Sequence, residues 1–203
     1  MRAYMTKRNY SIFITLALIM LGASFYGIAD TEHTPLSGPA SSTYTNIDTA
    51  SCETRTDSED PDEVPYQVCP GVLGYTLHIQ SVDSGRKSID VIDPDEEYFP
   101  LAYESVITRS FSHLDNIAEW RTAVVDTKDV PIALTVTVLA HENNEEPDQV
   151  THSYHAVAKI TEREICVTDR ILKDSLSLDA LHALADTARE RPCLEPLPTS
   201  DRE

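Results

Sequence analysis

From Leu73 to Val91 apolar residues return at every second position. Leu73, Tyr75, Leu77 and Ile79 interleave with Gly74, Thr76, His78 and Gln80, and Ile89 and Val91 resume the beat around Asp90. That period places the apolar side chains on one face of an extended strand. Asp83-Ser84-Gly85-Arg86 between the two runs is turn chemistry, so the segment reads as a β-hairpin. Tyr154, Ala156, Ala158 and Ile160 repeat the pattern, followed by Ile165 and Val167 around Cys166. Residues 132–139 (IALTVTVL) are β-branched and apolar nearly throughout, which suits a strand covered on both faces. Residues 118–125 (AEWRTAVV) set Trp120, Thr122 and Val124 against Glu119, Arg121 and Ala123, and residues 141–149 (HENNEEPDQ) form a polar tip. Short polar connections between successive strands argue for an antiparallel, meander-like sheet of about six to seven strands.

One segment departs from period two. Ser177 is placed to cap a helix whose stripe is Leu178, Leu181, Leu184, Ala185 and Ala188, with Asp179 in its first turn. Arg189 and Arg191 suit its end and Pro192 stops it. The expected class is therefore α+β, with one C-terminal helix docked on the sheet and sharing its core with Trp120.

The N-terminus reads as an export signal. Arg2, Lys7 and Arg8 precede the apolar run SIFITLALIMLG, and Gly27 and Ala29 stand like the small residues of a cleavage site. This predicts a signal peptide over residues 1–29, with Ala23 as another stop and an uncleaved anchor as the alternative. Residues 30–44 are Ser-, Thr- and Pro-rich and read as a flexible spacer, 45–195 as the single folded domain, and 196–203 as a disordered tail.

Cys52, Cys69, Cys166 and Cys193 form an even set behind such a leader, which implies disulfides. Of three pairings, Cys52–Cys69 and Cys166–Cys193 are favoured because each brackets one local feature. No CxxC proximity supports zinc.

A formal net charge of −18, made more negative when a leader with three basic and no acidic residues is removed, repels phosphate backbones and anionic lipid heads. Nucleic-acid binding is excluded, and no membrane partner is expected after signal cleavage. Residues 57–63 (DSEDPDE) and 93–97 (DPDEE) lack calcium-loop spacing and read as solvated loops. His152 and His155 point to opposite faces of a strand, His141-Glu142 does not continue into HExxH, and His113 falls in a loop. His182 falls at the margin of the helix stripe. These read as structural histidines. Ser84-Gly85-Arg86-Lys87 matches SxxK in a turn rather than on a helix. No catalytic residue, metal or cofactor is expected. The most suggestive chemistry is Glu119 and Arg121, two apart on a strand, with Asp169 beside Arg170. Such a set either binds a carboxylate or pairs within itself as surface ions.

The set Cys69-Pro70-Gly71-x-x-Gly74-Tyr75, AEWR (118–121), AKIT (158–161), CVTDR (166–170) and PCL (192–194) resembles a group of small exported bacterial proteins of uncharacterised function. The resemblance implies a periplasmic or secreted setting and transfers no catalytic residue. The expected function is a non-enzymatic binding or accessory protein of the envelope, with an unknown protein or small ligand as partner. The alternatives are an envelope hydrolase using carboxylates such as Glu119 and Asp169, or a structural protein without a ligand.

Overall fold

The computed structural model describes residues 38–56, 64–143 and 145–198. The predicted leader, most of the spacer and the acidic run 57–63 lie outside them. Ten strands form one mixed sheet, with few helical residues and two disulfides.

The strands fall into two antiparallel blocks. One comprises β2 (Glu53–Arg55), β3 (Tyr66–Pro70), β4 (Thr76–Asp83), β5 (Arg86–Ile92) and β6 (Tyr98–Pro100). The other comprises β1 (Ser41–Asn46), β7 (Phe111–Val125), β8 (Lys128–His141), β9 (His152–Ile160) and β10 (Ile165–Leu172). A single parallel pair, Arg86 with Ser112, joins them at β5 and β7.

The strand count therefore exceeds the expected six to seven, and the sheet is not purely antiparallel. β2 and β6 are three residues each, too short to show a period. β1 is polar, SSTYTN, because four of its six side chains face solvent. Its pairing with residues 117–122 of β7 also corrects the spacer, since Ser41 to Tyr44 are strand. At the other end the Leu197 amide donates to the Ser105 carbonyl at 2.7 Å and Arg109 bonds the Leu197 carbonyl, so residues 196–198 are fastened rather than frayed.

Leu77, Ile79, Ile89 and Val91 of the hairpin share one apolar cluster with Trp120, Leu134, Val136, Val138, Tyr154, Ala156 and Ile160 of the other block. This is how two sheet faces bury their inward residues against each other. Trp120 spans the join. It is wholly buried, its indole N–H donates to Thr45 Oγ1 at 3.0 Å, and its ring lies 6.0 Å from that of Tyr75. A Cβ on Gly71 would meet the Tyr75 carbonyl oxygen at 2.6 Å and the indole at 2.9 Å, so only glycine fits under this tryptophan. The chain turns here, and Leu73 is an exposed residue at φ 52° rather than the start of a strand. β4 begins three residues later.

Helix α2 (Leu178–Asp186) forms where the stripe and cap predict it, with the Ala180 amide donating to Ser177 Oγ. It lies inside the folded unit, followed by a 3₁₀ turn at Ala188–Glu190 and the fastened segment beyond. Leu181, Ala185 and Ala188 pack on Ala133 and Val157, on the sheet face opposite Trp120. The helix and Trp120 thus sit in different clusters, and Leu178 is 59% exposed. A short helix α1 (Tyr103–Val106) covers β5.

Both favoured disulfides are present. Cys52–Cys69 fastens the segment after β1 to a buried residue of β3, and Cys166–Cys193 ties β10 to the chain beyond α2.

On the outer face of β5, Asp90 is fully buried and accepts from Gln80 Nε2 at 2.5 Å and from the Tyr98 hydroxyl. Its Oδ1 has no partner. Burial, opposed by the Tyr98 bond and helped by nearby Glu104, holds this carboxyl above the ordinary range. The unfolded group loses its proton near pH 3.9, the folded one later, so stability is lost as pH rises through that interval. Wild type should therefore gain stability relative to Asp90→Asn as pH falls from 7 towards 4 in urea titrations. A pH-independent difference would show that Asp90 does not titrate differently on folding.

Candidate functional site

Register alone draws a line of side chains across the helix-bearing face. Tyr44 of β1 faces Glu119 of β7, which faces Thr135 of β8, then Val157 of β9, then Asp169 of β10. Directly opposed residues share a face. Helix α2 is seated on Val157, so the line is divided. Glu119 lies on one side and Asp169 on the other, about 14 Å apart at three strand spacings.

The predicted trio therefore shares a face without converging. Asp169 accepts from Arg191 Nε at 2.9 Å and from Thr168 Oγ1 at 2.7 Å. Lys159 of β9 donates to the Arg191 carbonyl at 3.1 Å and pairs with Glu164 at 2.6 Å. The AKIT, CVTDR and PCL residues thus work together to hold the chain that leaves α2, just as Trp120 of AEWR closes over Gly71.

Glu119 and Arg121 are neighbours but not each other's ion partner. They are 9% and 6% exposed. Arg121 grips Asp186 of α2 with two bonds, Nε to Oδ1 at 2.6 Å and Nη2 to Oδ2 at 2.9 Å, which holds the guanidinium above its usual range. It also donates to Ser42 Oγ at 2.6 Å and to the Ala40 carbonyl at 3.2 Å. The Ser42 hydroxyl in turn donates to Glu119 Oε1 at 2.5 Å, and His182 Nε2 of α2 lies 2.7 Å from the same oxygen. Ser42, Glu119, Arg121, His182 and Asp186 form one polar bolt through β1, β7 and α2, buried at Glu119 and Arg121 and half-buried at the other three. The surface ion pair expected from sequence is replaced by this internal one, because β1 and α2 cover both residues.

One edge of the bolt opens into a cleft of about 410 Å³ between the sheet and the chain from Lys173 to Leu181. Its floor is polar: Glu119, Thr135, Thr137 and His155, with Thr137 Oγ1 3.2 Å from His155 Nδ1. Burial, reinforced by Lys173, lowers the His155 imidazole below its ordinary range. The rim is apolar and exposed at Tyr44, Ile117, Leu176 and Leu178, and also carries Asp115, Lys173 and Asp174. Such a surface holds an amphiphile by its body and its polar end. Paired-carboxylate hydrolysis needs two carboxyl groups within about 10 Å and a shared substrate position, which Glu119 and Asp169 do not provide.

The sequence reading missed this cleft. Thr135 and Thr137 belong to a strand read for its apolar residues, His155 was read as a structural histidine and Leu178 as part of the helix stripe, and Leu176 was not singled out. Elsewhere, Glu164 lies against the Cys166–Cys193 pair. Disulfide sulfurs offer no thiolate to a metal. Among the described residues of the 93–97 run, Asp93 Oδ1 caps its own turn by accepting from the amides of Asp95 and Glu97. No family model matches the chain, and no curated protein or solved structure matches it either.

Proposed function

We propose that this chain is a non-enzymatic, exported binding protein of the bacterial envelope that takes a small amphiphilic ligand in the cleft over Glu119. The observation that carries the reading is the polar floor of Glu119, Thr135, Thr137 and His155 under the exposed rim of Tyr44, Ile117, Leu176 and Leu178. Two disulfides fit a compartment that keeps sulfurs oxidised. Among the described residues no helix is long and apolar enough to cross a membrane. The acidic surface and Glu119, Asp115 and Asp174 around the cleft favour a cationic head on the ligand.

Decylammonium is the probe of choice, titrated by calorimetry with NMR mapping. Saturable binding should move the amides of residues 117–119, 135–137 and 176–181. Leu178→Ser removes about one leucine's worth of apolar contact without adding charge, so affinity should fall by roughly tenfold or more. Unsaturable binding, or shifts confined to another face, would sink this assignment.

A further inference from the structure

The ladder between β8 and β9 ends at Ala133 and Lys159. Beyond it Val130 and Pro131 of β8, the residues that close β9 and begin the next turn, and Arg189 of the 3₁₀ turn behind α2 line a cavity of about 230 Å³. At roughly 30 Å³ for each water-sized group, that is room for about eight of them, the size class of one amino acid.

Three charged side chains share this lining, Arg189, Asp129 and Glu162, and none pairs with another. The Arg189 side chain makes no hydrogen bond or ion pair among the described residues, and its Nε is buried without a partner. Arg191, two residues on, holds Asp169, Thr187 Oγ1 and the Leu184 carbonyl. A desolvated guanidinium nitrogen is costly until an acceptor reaches it. Asp129 and Glu162 are exposed and stand apart from it. A lone anion would satisfy Arg189 and be repelled by both carboxylates, and a lone cation would leave Arg189 unpaired. A zwitterion meets both signs.

The rest of the lining is chiefly apolar, with Leu73, Tyr75, Pro131 and Ile160. Leu73 holds φ 52°, a left-handed conformation uncommon for leucine, yet it is 52% exposed. Backbone strain that buries nothing inside the protein is the kind that gathers at ligand sites. The Tyr75 hydroxyl makes no hydrogen bond within the protein. Burial, helped by Asp93, Asp95 and Glu162, raises it above the ordinary phenol range, so it stays a donor.

We infer that this cavity binds a free apolar α-amino acid, its carboxylate on Arg189, its ammonium towards Asp129 and Glu162, and its side chain against Leu73 and Pro131. The site shares no residue with the cleft over Glu119 and stands whether or not that cleft takes an amphiphile.

The probe is L-leucine, titrated into the full chain by calorimetry with NMR mapping, beside isocaproate, which lacks the ammonium, and isopentylamine, which lacks the carboxylate. Leucine should saturate one site per chain in the millimolar range or below and move the amides of residues 73–75, 129–130, 160–162 and 189. Each analogue forfeits a charge-assisted contact and should bind roughly tenfold more weakly or worse. Arg189→Gln should cost leucine the same factor and leave isopentylamine unaffected, a split that a loosened fold would not produce. Asp129→Asn with Glu162→Gln should weaken leucine and strengthen isocaproate, because both carboxylates repel a lone anion. Lys173→Gln, in the other cleft, should bind leucine as wild type. Near-UV circular dichroism checks the fold of each variant, and the three ligands on wild type need no variant at all. Unsaturable leucine binding, either analogue binding as tightly as leucine, or shifts centred away from these residues would overturn the proposal.

Discussion

Replacing Cys52 and Cys69 together by alanine should lower the unfolding free energy by about 3 kcal/mol, and replacing Cys166 and Cys193 by about 3.5 kcal/mol. The bridges close loops of 17 and 27 residues, and the entropy withdrawn from the unfolded chain grows with the logarithm of that length. The two lie in different parts of the molecule, one at β3 and one at β10, so their losses should add. A combined loss of about 6–7 kcal/mol equals much of the 5–15 kcal/mol that holds an ordinary domain together. The four-alanine variant should therefore be largely unfolded at body temperature. Urea unfolding followed by fluorescence of Trp120, the single tryptophan, reports each step. A loss under 1 kcal/mol for either pair would mean that its loop is already constrained without the sulfurs.

Arg121→Ala is the second large effect. The guanidinium holds Asp186 of α2, Ser42 of β1 and the Ala40 carbonyl, and thereby ties β7 to both neighbouring elements. Removing one member of a buried pair costs about 3–5 kcal/mol because the partner is left desolvated. Asp186 retains some solvent, its side chain being 29% exposed, so about 3 kcal/mol is the expected loss. Arg121→Lys keeps the charge but not the two-pronged geometry and should recover only part of it. A change below 1 kcal/mol would return this residue to the class of surface ion pairs. Amide exchange separates the effect from general loosening: β1 and α2 should lose protection first, ahead of the hairpin β4–β5.

The parts of this architecture that sequence discloses are those where one residue's neighbours decide its environment. Leu77, Ile79, Ile89 and Val91 declare a half-buried hairpin, and Ser177 declares a helix start, because period and capping are local. The disulfide partners follow from bracketing. What stays hidden is set by distant strands. The β-bulge opposite Arg121 and Thr122 leaves Ile132 of β8 without a register partner, an irregularity that no local period announces. His113 becomes a neighbour of His141 only when β7 and β8 take their register. Glu119 and Arg121 were visible as chemistry, yet their partners arrive from Ser42, His182 and Asp186, which no spacing rule connects.

The placement of β1 bears on the order of assembly. Ser41 pairs with Thr122 and Asn46 with Ile117, so the earliest described strand has no seat until some eighty later residues have been delivered. A polypeptide emerging amino end first, from a ribosome or through a translocation pore, must carry that strand as a loose ribbon until β7 emerges. Nucleation then falls to the β4–β5 hairpin, whose halves are adjacent in the chain. Only with β7 in place can Ser42 take its seat, donating to Glu119 and accepting from Arg121.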